Sequence, residues 1–154
     1  MKIHLDTLNQ FTKTVSLFTK DTGILFADLK IDTGANTSVI GESLVGLHTQ
    51  THDLGTTLSS PTGGSVPSYR VYGYTLFLGD VALRDLSFDV NPVWKSNSDY
   101  GTKLLLGMDI LQYFDMHYTP VDKTLDIFPN SPSLKTYKSQ NFNLIEEVLR
   151  LYEY

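Results

Sequence analysis

Cysteine is absent from the 154-residue chain. Its absence excludes disulfide bonds, thiolate metal sites and cysteine nucleophiles as the basis of fold or function. The sequence also lacks any apolar run approaching the roughly 20 residues that span a membrane as a helix. Residues 1–6 have no long apolar core of the kind that a secretory signal peptide needs. We therefore expect a cytoplasmic protein without a membrane partner.

Positive charge is also scarce, since 12 Lys and Arg residues stand against 17 Asp and Glu residues, for a net charge of −5. No basic stripe is present, so a nucleic-acid partner is not expected. Apolar residues make up 41% of the chain and aromatic residues 12%, which excludes a disordered protein. A chain of this length predicts one domain with a sizeable buried core.

Short alternating segments bounded by turn residues recur along the chain and predict a mainly β fold. Leu25, Ala27, Leu29 and Ile31 occur at every second position, so we expect them on one face of a strand. A short helical turn is predicted over 42–47. Further strands are predicted over 11–18, 69–78, 81–90, 112–118 and 124–128.

The strand over 24–31 leads directly into the turn Asp32-Thr33-Gly34-Ala35. A carboxylate held in such a turn can act as a general base or acid. Gly34 has no Cβ, so it permits an unusual backbone angle and lets its N–H approach the carboxylate. Thr33 offers a hydroxyl that donates and accepts hydrogen bonds, and Ala35 keeps the floor of the site small. The turn resembles the active-site loop of an aspartic protease, and this resemblance makes Asp32 the candidate catalytic residue.

The same tripeptide occurs earlier, at Asp21-Thr22-Gly23. Asp-Thr-Gly is a common turn composition, and between two predicted strands it indicates a plain hairpin turn. Asp21 also lies too close to Asp32 in the sequence for the two carboxylates to come from two separate, matching halves of one chain. One chain therefore supplies only one usable carboxylate of this type.

A second informative segment is the apolar run Leu104 to Leu106, which is followed by Gly107 and a short helix-like stretch. A strand, a turn over 119–123 and a returning strand come after it. Asp-Thr-Gly-Ala followed at this distance by apolar-apolar-Gly resembles the retropepsin family of aspartic proteases. The resemblance covers roughly residues 10–128. It implies the acid protease fold, a closed β-barrel, as a single lobe.

The resemblance also implies an activity, that of an aspartic endopeptidase acting as a homodimer on peptide or protein substrates. Facing carboxylates share one proton, because like charges a few ångström apart do not both ionise easily. One then activates water while the other serves as the acid, so no metal or organic cofactor is needed. By the same resemblance, Leu105, Leu106 and Gly107 cross beneath the catalytic loop, and the Ser38 hydroxyl stabilises it.

Between the two motifs the family carries a flap, a hairpin that closes over bound peptide. The candidate is the segment 57–69, whose Pro, Gly and hydroxyl residues predict a mobile tip. A long hairpin without a lid role is the alternative. The residues that we assign to the flap and to substrate binding are Pro61, Thr62, Gly63, Gly64 and Ser65.

The C-terminal segment departs from the family. Ile145, Val148, Leu149 and Tyr152 fall on one face of a predicted amphipathic helix over 141–152. We predict a protease domain over 1–130 and an extension over 131–154 that either packs on the same domain or builds the dimer interface. In retropepsins the termini of both subunits interleave into a shared sheet, so the extension leaves the dimer geometry open.

Another departure concerns the support of the catalytic loop. Retroviral members pair an Arg after the downstream Gly with an Asp in the loop, whereas this chain has Met108 and Asn36 there. Their joint absence indicates a cellular or bacterial branch with a different support. We interpret Asp109 as a helix-start carboxylate rather than a third catalytic acid.

The sequence is also compatible with other functions. The chain could be a catalytically inactive peptide-binding or dimerisation module, although such a module has no need of a costly pair of facing carboxylates. It could also be a protease devoted to its own processing or to assembly control. His48 and His52 have the spacing of a metal-binding pair on a helix, but the threonines and glycine around them argue against a helix, so no metal site is predicted.

Overall fold

The computed structural model describes residues 1–7, 9–49, 51–59, 65–79, 81–91, 104–130 and 136–138, with the backbone alone over 52–59, 65–67 and 136–138. A 3-10 helix covers Glu42–Leu44, and the helix α1 covers Met108–Leu111. The strands are β1 (Lys2–His4), β2 (Thr12–Thr19), β3 (Gly23–Ile31), β4 (Val39–Gly41), β5 (Thr51–Ser59), β6 (Ser65–Leu78), β7 (Val81–Asn91), β8 (Leu104–Leu106), β9 (Phe114–Thr119), β10 (Thr124–Pro129) and β11 (Thr136–Lys138).

Six strands close into a barrel around the core. Their order is β7-β4-β8-β3-β2-β6, and β6 pairs with β7 to complete the ring. Outside the ring, β5 extends the sheet along β6 and β11 lies along β7. The predicted mainly β fold with a closed barrel is therefore confirmed.

Strand β8 has the central place beside the candidate site. It pairs in parallel with β3, where Leu106 lies opposite Ile31, and antiparallel with β4, where Leu105 lies opposite Val39. Leu104 and Leu106 are fully buried. An uninterrupted apolar run suits a strand with neighbours on both sides. The loop between β3 and β4 therefore begins and ends beside the same strand, β8.

A second sheet has the order β1-β10-β9. Ile3 of β1 lies opposite Leu125 of β10, which lies opposite Tyr118 of β9, so the three side chains share one face. Ile3 and Leu125 belong to the same buried cluster as the barrel residues, and the ring of Tyr118 contacts Phe11 edge-on. This face of the small sheet therefore packs against the barrel.

The hairpin between β2 and β3 turns at Asp21-Thr22-Gly23, as predicted. Gly23 has a φ of 70°, a left-handed conformation that glycine adopts without steric cost. Along β3, Ala27 and Leu29 are buried while Asp28 between them is exposed, which confirms the predicted two-residue period.

Some elements differ from the sequence predictions. Strands β1, β4 and β11 are not predicted, because three residues are too few to show a period. Strand β5 is predicted only from residue 57, as the start of the candidate flap hairpin. The helical turn predicted over 42–47 ends at Leu44, since Val45 is already extended with a φ of −99°. The amphipathic helix predicted over 141–152 lies outside the described residues. Among the helices that the structure does describe, none is long and apolar enough to cross a membrane.

Tyr74 of β6 connects the 3-10 helix to the barrel. Its ring is fully buried and contacts Phe88 edge-on, with the ring centroids 5.5 Å apart. Its hydroxyl donates a 2.7 Å hydrogen bond to the carbonyl of Leu44. Burial raises the pKa of Tyr74, because the phenolate would lose its hydration, and a hydrogen bond with Thr49 acts in the opposite direction.

The substitution Tyr74→Phe keeps the ring and removes the hydroxyl. We expect a loss of about 1 kcal/mol in the free energy of unfolding at neutral pH, because the Leu44 carbonyl loses its donor. A raised pKa in the folded state means that the folded protein holds more protons than the unfolded chain above about pH 10, so stability falls as the pH rises there. This alkaline loss should be smaller in Tyr74→Phe. Urea titrations from neutral to alkaline pH measure both effects.

The matched control is Tyr72→Phe, which removes a hydroxyl from a less buried ring two positions earlier on the same strand. It should change the free energy of unfolding at neutral pH by less than about 0.5 kcal/mol. Equal alkaline slopes in the native protein and in Tyr74→Phe would contradict the assignment.

Candidate active site

Asp32 is the first residue after β3, and its loop holds one carboxylate oxygen in place. The Asp32 N–H donates to the carbonyl of Leu106 at 3.0 Å, and the Ala35 N–H donates to the Asp32 carbonyl at 3.2 Å. The Gly34 N–H donates to Oδ1 of Asp32 at 3.0 Å. Asp32 is half-buried, while Thr33 and Gly34 are exposed at the tip of the turn. The turn therefore presents a fixed carboxylate at an accessible position.

Gly34 leaves space for the Asp32 carboxylate and does not serve an unusual backbone conformation. A Cβ at this position would lie 3.3 Å from Oδ1 of Asp32, closer than ordinary van der Waals contact. Its φ is not among the positive values of the chain, so the loop does not use the unusual backbone angle that glycine would permit. A side chain here would push against the carboxylate that the Gly34 N–H binds.

The other end of the loop is held by Ser38, which is 1% exposed. Its hydroxyl donates to Oδ1 of Asp109 at 2.6 Å, and its N–H donates to Oδ2 of the same carboxylate at 3.0 Å. Its oxygen also accepts a 3.0 Å hydrogen bond from the Gly107 N–H. Three hydrogen bonds thus join one buried serine to the start of α1.

Gly107 brings the two segments into backbone contact. A Cβ on this residue would lie 2.6 Å from the carbonyl oxygen of Thr37 and 2.8 Å from that of Ala35, which are distances that real side chains do not reach. The neighbouring Met108 N–H donates to the Ala35 carbonyl at 2.8 Å. The β8–α1 junction therefore runs directly against the loop, and only glycine fits at the crossing point.

Asp109 has a role that the sequence interpretation misses. It does lie in the first turn of α1, as interpreted, but its carboxylate binds Ser38 across 71 positions of sequence. The side chains of Met108 and Asn36, at the positions of the viral Arg and Asp, form no ion pair because neither is charged. The sequence predicted that this loop is supported by something other than the viral Arg–Asp pair. The contact between Asp109 and Ser38 provides that support.

A further contact links this loop to the long hairpin of β5 and β6. Nε of Arg70 on β6 donates to Oδ1 of Asp89 on β7 at 3.0 Å, and the Asp89 side chain is 7% exposed. The Asp89 N–H donates to the carbonyl of Ser38 at 3.1 Å. The Arg70–Asp89 ion pair therefore links the hairpin to Ser38, the residue that anchors the Asp32 loop.

The candidate flap is only partly described. β5 and β6 pair antiparallel up to Ser59 opposite Ser65, with a register shift between Asp53 and Thr56. Ser65 is thus the first residue of β6. The other residues assigned to the flap, Pro61 to Gly64, lie outside the described residues.

The earlier Asp-Thr-Gly has a structural role. Oδ2 of Asp21 accepts hydrogen bonds from the His48 N–H at 3.0 Å and from the Thr49 hydroxyl at 3.1 Å. The Asp21 carboxylate therefore binds the segment after the 3-10 helix. Within the described ranges, no group of three or more His, Asp or Glu side chains is arranged to hold a metal ion.

A family model described as aspartyl protease matches residues 22–110, which is more than half of the chain. The chain belongs to the aspartyl protease family. A comparison with curated proteins finds no match.

Solved structures of retropepsin-like proteases resemble this member of the family. A retropepsin-like aspartic protease from Rickettsia conorii has 14% identity, covers 83% of this chain and 97% of its own, and superposes with a TM-score of 0.53. The EIAV protease in complex with an inhibitor has 20% identity over 70% and 89%, with a TM-score of 0.47. The retroviral protease-like domain of Ddi1 from Leishmania major has 14% identity over 79% and 97%, with a TM-score of 0.40. The Rickettsia structure supports a retropepsin-like fold.

We expect Ser38 and Asp109 to depend on each other for stability. Ser38→Ala or Asp109→Ala alone should lower the free energy of unfolding by about 1–3 kcal/mol, because each leaves polar groups of the other without a partner. The double variant should lose clearly less than the sum of the two losses, which a double-mutant cycle by urea denaturation measures.

The control for removing an acidic side chain is Asp122→Ala, in the exposed turn between β9 and β10. It should change stability by less than about 0.5 kcal/mol. Additive losses in the double-mutant cycle would show that the two side chains do not stabilise each other.

Proposed function

We propose that the chain is an aspartic endopeptidase whose active site contains Asp32 from each of two copies. The observation that carries this proposal is the loop geometry. A half-buried carboxylate with one oxygen held by a backbone N–H lies on a loop that is fixed at both ends. Membership of the aspartyl protease family supports the same reaction class. One chain provides one such carboxylate, so the second comes from a second chain.

In the proposed reaction, one Asp32 is ionised and takes a proton from water as the water oxygen attacks the peptide carbonyl carbon. The other Asp32 is protonated and hydrogen-bonds to the carbonyl oxygen, where negative charge develops. Collapse of the tetrahedral intermediate breaks the C–N bond, and the departing nitrogen receives a proton from the carboxyl pair. No metal or organic cofactor enters this scheme.

The other assigned residues position this pair. Gly34 orients the carboxylate through its N–H, Thr33 contributes a hydroxyl at the tip, and Ala35 accepts the hydrogen bond from the α1 segment. Ser38 anchors the loop from below, together with the crossing residues Leu105, Leu106 and Gly107.

The remaining assignments complete the proposal. Residues 61–65 form the flap over a bound peptide, and the Arg70–Asp89 pair ties its hairpin to the loop. Residues 1–130 form the protease domain, and residues 131–154 form an extension of it. An inactive binding module is not favoured, because the carboxylate and its oriented N–H are both present.

The direct test is cleavage of a diverse peptide mixture, read by mass spectrometry from acidic to neutral pH at high protein concentration. Asp32→Asn should abolish the cuts that the native protein makes, because an amide can neither accept the proton from water nor share one with a carboxylate. Asp21→Asn removes the carboxylate of the other Asp-Thr-Gly and should keep them. Cuts that persist in Asp32→Asn would reject Asp32 as the catalytic residue.

A mixing experiment tests whether the site needs two copies. If mixed dimers are inactive, an equal amount of Asp32→Asn protein should reduce the activity of a fixed amount of native protein to about half, once subunits have exchanged. Equal amounts of Asp21→Asn should cause no such loss. Activity that is independent of added Asp32→Asn would contradict the shared site.

A further inference from the structure

Lys30 brings a positive charge to the strand that leads into the Asp32 loop. Successive side chains of a strand point to opposite faces. Leu29 is fully buried in the barrel core, so Lys30 points to the outer face of β3. Asp32 continues the pairing with β8, since its N–H donates to a carbonyl of that strand at 3.0 Å. The Lys30 ammonium and the Asp32 carboxylate therefore leave the same face of the sheet.

The surroundings of Lys30 keep its charged group accessible. Lys30 is half-buried and lies opposite Thr12 of β2 and Leu105 of β8, which are half-buried as well. A lysine in such a place lays its apolar stem along the sheet and keeps its ammonium in water. The ammonium is thus reachable from the side on which the Asp32 carboxylate is reachable.

Two carboxylates that neighbour Lys30 already have hydrogen-bond donors. Asp28 lies two positions earlier on the same face, and its Oδ1 accepts a 2.7 Å hydrogen bond from the Thr14 hydroxyl. Oδ2 of Asp6 accepts a 3.2 Å hydrogen bond from the hydroxyl of Thr12, the residue opposite Lys30. Oδ1 of Asp6 accepts another from a backbone N–H at 3.0 Å.

The ion pairs found within the described residues do not include Lys30. One joins the N-terminal ammonium to Asp126, and the other joins Arg70 to Asp89. The whole chain has a net charge of −5, so it does not attract acidic peptides through its overall field. A carboxylate that binds at this site would therefore be recognised locally, by the ammonium beside Asp32.

We propose that Lys30 is a specificity-determining residue that binds an Asp or Glu side chain of the substrate near the scissile bond. Two residues of an extended strand span about 7 Å, so Lys30 meets a substrate side chain within about two residues of that bond. With one Lys30 in each copy, an acidic residue on either side of the bond finds an ammonium. The inference rests on the proposed function, because it names a substrate class for the same site.

A purely structural role for Lys30 leads to a different expectation. A lysine between Asp28 and Asp32 on one strand face also reduces the repulsion between the two carboxylates. Loss of that role alone would change stability and leave the side-chain preference of the site as it is. Preference is therefore the quantity that separates the two roles.

The first measurement is the frequency of Asp and Glu around the cuts that the native protein makes in a random mixture of short synthetic peptides. We expect these residues at least about fivefold enriched within about two residues of the cut, because a charge-assisted hydrogen bond holds them. Lys30→Gln should remove the enrichment and Lys30→Arg should retain it. Lys30→Glu should reverse it in favour of Lys and Arg.

The matched control is Lys13→Glu, which changes the net charge by the same amount as Lys30→Glu. Lys13 of β2 lies opposite the buried Leu29, so it points to the other face of the sheet, and its Nζ donates to the carbonyl of Lys2 at 3.1 Å. Lys13→Glu should keep the native preference. An equal change in both Glu variants would assign the preference to overall charge and overturn the proposal. If urea denaturation shows Lys30→Glu unfolded, Lys30→Gln decides.

A binding measurement separates this inference from the proposed function. Immobilised Asp32→Asn protein is incubated with the same peptide mixture, and the retained peptides are compared with those retained by the double variant Asp32→Asn, Lys30→Gln. Cuts without acidic enrichment in the native protein would overturn the role of Lys30 and leave the proposed reaction standing. If the native protein cuts no peptide, the binding comparison decides. Acidic peptides retained only when Lys30 is present would support the inference, and equal retention by both proteins would overturn it.

Discussion

The contact between Ser38 and Asp109 is the interaction on which the rest of the site depends. A carboxylate that accepts two hydrogen bonds from one residue binds more strongly than a neutral acceptor would. Ser38 is buried, so none of its polar groups is left for water to satisfy. Its oxygen receives the Gly107 N–H and its carbonyl receives the Asp89 N–H. One residue thereby joins the loop, the start of α1 and strand β7.

The surrounding constraints are steric as much as electrostatic. Gly107 admits no Cβ because two carbonyl oxygens of the loop lie against it, and Gly34 admits none without pressing on the carboxylate of Asp32. Below the loop, β8 separates β3 from β4 and fixes the distance between the loop's two ends. The Arg70–Asp89 ion pair extends the same network to the hairpin. The position of the carboxylate thus follows from backbone packing and from the hydrogen bond that the Gly34 N–H donates to it.

The sequence allowed prediction of those features that depend on local pattern. Alternation in β3 and the apolar run of β8 predicted their burial, and the turn chemistry separated Asp21 from Asp32. The role of Asp109 was not predictable in this way. Its partner lies 71 positions away, and an acidic residue in the first turn of a helix already has a sufficient local explanation. Strand β1 has only three residues, so it acquires its conformation from pairing with β10 rather than from its own pattern.

The distance in sequence between the loop and its support has a consequence for the order of events during synthesis. Contacts between distant segments form only after the intervening chain has been made and its loop closure entropy has been overcome. Asp32 leaves the ribosome long before β8 and Asp109, so the nascent chain carries the carboxylate without the segment that orients it. A growing chain therefore carries Asp32 on a loop without its support until synthesis has passed α1.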